Sequence, residues 1–230
     1  TRTNMNAFVF PGQGSQHLGM GADLYNSNRK AQQIFEDANE ILGFKITDIM
    51  FGEDQEALKQ TNITQPAIYI HSMVIALIAD KFFKPNAVAG HSLGEFTALA
   101  AANYISFEDG LRLVHKRAIA MQEACEKNES SMAAIVGLDD NTVEDVCSQS
   151  KETLVAANYN CPGQIVISGT INAVNIACNK LTELGARRAL VLPVRGAFHS
   201  PLMTSAEESL SKAINNIQFK DVTCQIYQNI

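Results

Sequence analysis

The sequence lacks tryptophan, a paired-cysteine motif and an apolar run long enough to cross a membrane. Its cysteines are scattered and odd in number, which fits neither a disulfide framework nor a zinc site; they are Cys125, Cys147, Cys161, Cys178 and Cys224. The longest apolar stretch, around residues 68–79, is interrupted by His71 and Ser72 and is too short to span a bilayer. These absences predict reduced thiols in a cytoplasmic protein, with no metal site and no membrane association.

An excess of positive charge is also absent. Lys and Arg number 18 against 24 Asp and Glu, so the net charge is −6. This balance argues against a general nucleic-acid binder, because neutralising phosphates requires a basic surface. Arg187 and Arg188, with Lys180, form a candidate patch for an acidic partner, and the alternative is that they are solvated surface charges. Residues Thr1–Asn6 are polar, and no apolar signal region follows them.

Short apolar runs alternate with helical patterns along the chain, as is typical of an α/β protein. Thr64-Gln65-Pro66 predicts a helix start with Thr64 as the N-cap. Between residues 128 and 194 the predicted order becomes β-α-β-β-α-β, which is the ferredoxin-like arrangement. We therefore predict an α/β-hydrolase-like catalytic domain, residues 1–127 and 195–230, carrying an inserted ferredoxin-like subdomain at residues 128–194.

The pentapeptide Gly90-His91-Ser92-Leu93-Gly94 lies between a predicted strand and a predicted helix, which is the context of a nucleophile elbow. In such an elbow the serine occupies a sharp, strained turn, and the glycines allow the chain to fold back. The helix N-terminus and free backbone amides then point towards any oxyanion formed there. The pattern predicts that Ser92 is the nucleophile of an acyl-transfer enzyme. The alternative is a glycine-flanked turn whose serine only caps the helix.

A nucleophilic serine needs a base, and the candidates are His17, His71, His91, His115 and His199. His91 adjoins Ser92 but points away from it in a tight turn. His199 lies in a glycine-containing loop after a predicted strand, on the side of the sheet where α/β sites form. His199 is therefore the leading candidate, with a non-catalytic role left open. No carboxylate is evident as a third member, since Glu207 lies on a helix; either a neutral group orients the histidine or its partner follows Ile230.

Two further features bear on the substrate. Leu93 follows the nucleophile in the sequence, and its backbone N–H supplies one oxyanion donor. The loop Pro11–Gln16 is a plausible source of the second donor. This loop is not GxGxxG, so a dinucleotide site is not predicted. Arg117 lies at the edge of an apolar helical stripe, about 60° from Val114. It either grips a carboxylate with two parallel hydrogen bonds or extends its stem to water.

Together these segments resemble the malonyl-CoA:acyl carrier protein transacylases of type II fatty acid synthesis. The matching pieces are spread over essentially the whole chain: residues 10–16 (FPGQGSQ), 90–95 (GHSLGE), 112–122 around Arg117, 160–164 (NCPGQ) and 196–199 (GAFH). Leu93 and the run that ends at His199 resemble the malonyl-selective members of the family. The family's chain continues past Ile230, and there a backbone carbonyl orients the histidine, so the resemblance implies that the catalytic domain is C-terminally incomplete here.

The resemblance implies that Ser92 is the nucleophile, His199 its base, Gln13 and Leu93 the oxyanion hole, and Arg117 the ligand of the malonyl carboxylate. It implies a monomeric enzyme with no cofactor, since the coenzyme A thioester is a substrate, and it implies malonyl-CoA and acyl carrier protein as partners. Three alternatives stay open: a trans-acting acyltransferase of polyketide synthesis, a serine hydrolase with the same elbow, and a non-catalytic carrier-protein docking module.

Overall fold

The computed structural model describes residues 5–194 and 196–229. The helices are α1 Ala22–Ser27, α2 Arg29–Leu42, α3 Ile46–Phe51, α4 Gln55–Lys59, α5 Thr61–Ile78, α6 Gly94–Ala101, α7 Phe107–Lys127, α8 Asp140–Ser148, α9 Ile171–Glu183 and α10 Thr204–Ile214. The strands are β1 Ala7–Phe10, β2 Ala87–Gly90, β3 Ser130–Val136, β4 Leu154–Cys161, β5 Gln164–Thr170, β6 Arg188–Val191 and β7 Gln225–Tyr227. The chain divides into two compact units, Thr1–Ile119 with Leu210–Ile230, and Ala120–Ser209.

The first unit is built on a parallel sheet in the order β1-β2-β7. Its strands are apolar because the sheet packs against helices; Val88 in the central strand is 1% exposed. Helices α2 and α5 contribute the largest core, which includes the fully buried side chains of Phe35 and Tyr69. Because β1 and β2 are parallel and in register, with Phe10 opposite Gly90, both strands end at the same edge. The glycine-rich loop and the serine turn therefore leave the sheet side by side.

The second unit is built on a four-stranded sheet in the order β4-β5-β3-β6, and all its pairings are antiparallel. Helices α8 and α9 pack against it through Val143, Val146, Val174 and Leu181. The protein is thus a mixed α/β fold with one parallel and one antiparallel sheet. Among the described ranges, no helix has both the length and the apolar character that a membrane crossing requires.

One predicted helix boundary is wrong. Helix α5 begins at Thr61, with Gln60 as its N-cap residue, so Thr64 lies inside the helix. The Thr64 hydroxyl does not cap; it donates to the Leu58 carbonyl at 2.5 Å. Pro66 is likewise within the helix. Tertiary packing favours the longer helix, because Thr64 and Pro66 are both buried.

Candidate active site

Ser92 lies in the turn between β2 and α6 with a backbone φ of +53°. Such left-handed angles are uncommon outside glycine and cost roughly 1–3 kcal/mol unless the surroundings enforce them. Two backbone hydrogen bonds close the turn: His91 N–H donates to the Phe10 carbonyl at 3.0 Å, and Gly94 N–H donates to the His91 carbonyl at 2.9 Å. Ser92 therefore occupies a strained strand-to-helix turn, as the pentapeptide predicts.

Both glycines of the pentapeptide are required by the backbone around them. A Cβ atom on Gly90 would lie 1.9 Å from the carbonyl carbon of Gly94. A Cβ atom on Gly94 would lie 2.4 Å from the Phe10 carbonyl oxygen at the end of β1. Because the obstructing atoms belong to the backbone, no side-chain rearrangement would relieve either collision.

The glycine-rich loop after β1 lies directly against this turn. A Cβ atom on Gly12 would be 2.6 Å from the His91 carbonyl oxygen. The Ser15 hydroxyl donates to the Gly12 carbonyl at 2.9 Å, which holds the loop in shape around Gln13. Leu93, 1% exposed, is the N-cap residue of α6, and backbone N–H groups at this end of a helix have no intrahelical partner. The loop of Gln13 and the amide of Leu93 thus both adjoin the serine turn.

Arg117 on α7 points at the serine. Its Nη2–H donates to Ser92 Oγ at 2.9 Å, and its Nη1–H donates to Gln65 Oε1 at 2.5 Å. Of the two sequence interpretations, the structure therefore favours the guanidinium directed inwards over the stem extended to water. Burial lowers the pKa of Arg117 to about 10, and the nearby charge of Glu95 raises it. Arg117 accordingly keeps its positive charge at neutral pH, within hydrogen-bonding distance of the serine hydroxyl.

Gln65 is a site residue that the sequence analysis missed. Its side chain is fully buried in α5, 52 positions from its partner Arg117 in the sequence. From the sequence this segment is predicted only as a helix start. The signal present was a polar amide within an otherwise apolar helix, which requires a buried partner.

His199 belongs to the second compact unit, where it is exposed and has a φ of +58°. The residues before it are fixed by hydroxyl groups of the sheet. Ser130 Oγ accepts from Ala197 N–H at 2.9 Å, and Ser168 Oγ donates to the Phe198 carbonyl at 2.7 Å. These two buried serines also escaped the sequence analysis, because a strand serine gives no pattern that names its partner.

The other histidines have contacts elsewhere in the first unit. The rings of His17 and His71 lie 6.1 Å apart edge to face, and burial, then the charge of His17, lowers the pKa of His71. His115 packs against Phe44, with ring centroids 5.9 Å apart, and burial lowers its pKa. His91 is exposed, with its backbone closing the serine turn. His17, His71 and His115 therefore have packing roles, and His91 has a structural role in the turn.

Comparison with known proteins gives the family. A profile described as an acyl transferase domain matches residues 7–230. The malonyl CoA-acyl carrier protein transacylase of Staphylococcus aureus (strain MRSA252) is 41% identical over 227 residues, which cover 97% of this chain and 73% of that protein. This chain belongs to that transacylase family. The motifs along the chain, including those that contain Ser92, Leu93 and Arg117, thus predicted the family correctly.

Solved structures of the transacylase family share the fold. The malonyl CoA-acyl carrier protein transacylase from Coxiella burnetii aligns with a TM-score of 0.93 at 37% identity, covering 97% of this chain and 72% of that one. A malonyl-transacylase in complex with its type II PKS acyl carrier protein aligns with a TM-score of 0.94 at 35% identity, covering 99% of this chain and 75% of that one. The chain thus has the family's fold over nearly its whole length.

Proposed function

We propose that this chain is a malonyl-CoA:acyl carrier protein transacylase, an enzyme that moves a malonyl group from malonyl-CoA to the phosphopantetheine thiol of acyl carrier protein and so supplies fatty acid chain elongation. Family membership supports this activity. The observation that carries it is the 2.9 Å hydrogen bond from Arg117 to Ser92 Oγ. The malonyl carboxylate is one methylene away from its thioester carbonyl, so a cation that holds it must lie beside the nucleophile.

In the first half-reaction His199 takes the proton of Ser92, and Ser92 Oγ attacks the malonyl thioester carbonyl. The tetrahedral intermediate collapses when its carbon–sulfur bond breaks, and the coenzyme A thiolate takes the proton from His199. A malonyl-serine ester remains. Arg117 stays protonated throughout and neutralises the free carboxylate, which disfavours acyl groups that lack one.

In the second half-reaction the phosphopantetheine thiol attacks the malonyl-serine ester after giving its proton to His199. The carbon–oxygen bond to Ser92 breaks, and His199 returns the proton to the serine oxygen. The amides of Gln13 and Leu93 stabilise the oxyanion in both halves. Their proposed role is supported by the contact of the Gly12 backbone with the turn and by the place of Leu93 at the N-terminus of α6.

The alternatives remain distinguishable by chemistry. A serine hydrolase would release free acid and has no use for a carboxylate clamp, so the bond between Arg117 and Ser92 disfavours it. A docking module would need neither a strained serine turn nor a buried cation directed at it. A trans-acting acyltransferase of polyketide synthesis would use the same site, and only the acceptor carrier protein would differ.

We extend the proposal to the architecture and setting. The parallel sheet with its serine turn supports an α/β-hydrolase-like domain, residues 1–127 and 195–230. The strand order β4-β5-β3-β6 with two helices supports a ferredoxin-like subdomain, residues 128–194. We also propose a cytoplasmic monomer that uses no cofactor.

The test is the intact mass of the protein after incubation with malonyl-CoA. We expect one malonyl adduct, located on Ser92 by peptide mapping and discharged by holo acyl carrier protein. Release of free malonate without transfer would identify a hydrolase. Absence of an adduct on the folded protein would contradict the proposed function.

A further inference from the structure

The segment after β7 reaches the serine turn. Because β7 pairs in parallel with β2, with Tyr227 opposite Ala89, the residues after both strands emerge at the same sheet edge. Asn229 lies two residues beyond β7 and contacts the turn with both ends of its side-chain amide. Its Nδ2–H donates to the Gly90 carbonyl at 2.9 Å, and its Oδ1 accepts from Ser92 N–H at 3.3 Å.

Glu95 in the first turn of α6 holds this asparagine in place. Its carboxylate accepts from Asn229 Nδ2 at 2.5 Å and from the Asn229 backbone N–H at 3.0 Å. Gln228 Nε2 adds a third donor at 3.2 Å, to the other carboxylate oxygen. The amide of Asn229 is therefore oriented with its nitrogen towards Glu95 and Gly90 and its oxygen towards Ser92.

We propose that Asn229, oriented by Glu95, is a positioning residue that holds Ser92 in its strained, nucleophilic conformation. One side-chain amide joins the carbonyl before the turn to the amide within it, which opposes relaxation of Ser92 from its φ of +53°. Its Oδ1 also occupies Ser92 N–H, which leaves Leu93 N–H as the amide of this turn that faces a developing oxyanion. This inference rests on the proposed function, since it concerns the same serine.

The test is Asn229→Ala, followed through the first-order rate constant for acylation of Ser92 in rapid-quench mass spectrometry. We expect this rate constant to fall about 10- to 100-fold, the scale on which a misplaced reacting group slows a reaction. The malonyl-CoA concentration that gives half of the maximal acylation rate constant should change less than about twofold, because the substitution leaves Arg117 in place. A first-order rate constant does not depend on the folded fraction, so a loss of folded protein alone would leave it unchanged.

Gln228→Ala is the matched control, because Gln228 donates to Glu95 Oε1, whereas Asn229 is held by Oε2. We expect it to retain the wild-type acylation rate. Asn229→Asp should be slower than Asn229→Ala, because its carboxylate faces Glu95 and does not donate to the Gly90 carbonyl. Adding Glu95→Gln to Asn229→Asp exchanges amide and carboxylate and should recover part of the rate. Wild-type acylation in Asn229→Ala would overturn the proposal, and an unrecovered double variant would contradict the pairing with Glu95.

The rate at which a fluorophosphonate labels Ser92 gives a second readout that needs no malonyl-CoA. We expect the same order, with the wild type and Gln228→Ala faster than Asn229→Ala. If the wild type forms no malonyl-serine, the proposed function fails, and the labelling rates still test the positioning role. If the wild type forms the adduct and Asn229→Ala matches it in both assays, only the positioning role fails.

Discussion

Ser92 and His199 share a left-handed backbone, with φ of +53° and +58°, but different kinds of support hold them. The turn of Ser92 is held by close contacts between backbone atoms. Gly90 and Gly94 allow these contacts, because main-chain atoms lie where a Cβ atom would be. The loop of His199 is held by side chains, since Ser130 and Ser168 bond to the two residues before it. The first kind of support requires glycine at fixed positions, which makes it visible in the sequence.

This difference predicts how each region responds to substitution. A backbone collision has no side chain to rearrange, so damage at the serine turn should be severe and not rescued by a second change. A side-chain contact is made by one replaceable group, so damage near His199 should be graded and rescuable. Substitutions should therefore cost most at the serine turn and least where a single side-chain contact is lost.

Gly90→Ala should abolish acylation of Ser92. The new methyl group would lie 1.9 Å from the Gly94 carbonyl carbon, so the turn must open, at a cost of about 3 kcal/mol or more in unfolding free energy. Urea unfolding and the intact mass after malonyl-CoA treatment measure the two effects. Gly43→Ala is the control for activity: no heavy atom lies within 4 Å of its Cβ position, so its φ of +76° should lower stability without a collision, and the variant should keep its activity. An active Gly90→Ala variant would show that the backbone of the turn can move to accommodate a Cβ atom.

Arg117→Ala should reduce acylation by malonyl-CoA about 100-fold, the scale of lost hydrogen bonds to a charged group. Acylation by acetyl-CoA, which has no carboxylate, should persist. The control is Arg112→Ala on the same helix, which removes only an exposed ion pair with Glu108 and should change neither rate. Malonyl transfer at an undiminished rate in Arg117→Ala would contradict the carboxylate role.

Gly196→Ala should be damaging but rescuable. Its Cβ would lie 2.2 Å from Cys125 Sγ and 2.9 Å from the Phe198 ring, and both obstacles are side chains. We expect a loss of about 1–3 kcal/mol in unfolding free energy, as for an overpacked site, with slower acylation. Adding Cys125→Ala should recover part of the loss, as measured by a double-mutant cycle in urea. An equal cost in both Cys125 backgrounds would argue against side-chain support of this loop.

Ser168→Ala should slow acylation less than Gly196→Ala does. It leaves the Phe198 carbonyl without its buried donor, which costs about 1–3 kcal/mol. Loosening of the neighbouring His199 should lower kcat several-fold and leave the KM for malonyl-CoA unchanged. Ser148→Ala, which removes an exposed bond to the Asp145 carbonyl, is the control and should be silent. A change confined to KM would contradict support of the base.

The smallest expected effect is that of pH on the affinity for malonyl-CoA. Because burial lowers the pKa of Arg117 to about 10, part of the free protein loses this charge as the pH rises towards that value. Binding of malonyl-CoA to Ser92→Ala, measured by calorimetry, should therefore weaken a few-fold at most at pH 10 relative to pH 8. Binding of acetyl-CoA should not share this dependence. A pH-independent affinity for malonyl-CoA would separate Arg117 from the carboxylate.

The local structure of the serine turn could be predicted from the sequence, but its neighbours could not. The pentapeptide predicted a strand, a turn and a helix in the right order, and the resemblance to the transacylase family is confirmed by the relatives. The edge position of Arg117 left two orientations open, because a helical wheel gives a direction but no neighbour. The N-cap assigned to Thr64 was wrong, because packing of α5 outweighed a local capping signal.

By itself the sequence determined where the chain must turn sharply, because only glycine permits backbone atoms to approach as closely as they do around Ser92. The tertiary structure alone decided which side chains meet there. Gln65 reaches Arg117 from 52 positions away, and Asn229 reaches Ser92 from 137 positions away, through the parallel pairing of β2 and β7. Local backbone strain depends on adjacent residues, and it can therefore be predicted from a short stretch of sequence. Contacts between distant residues depend on how strands and helices pack, which no local pattern specifies.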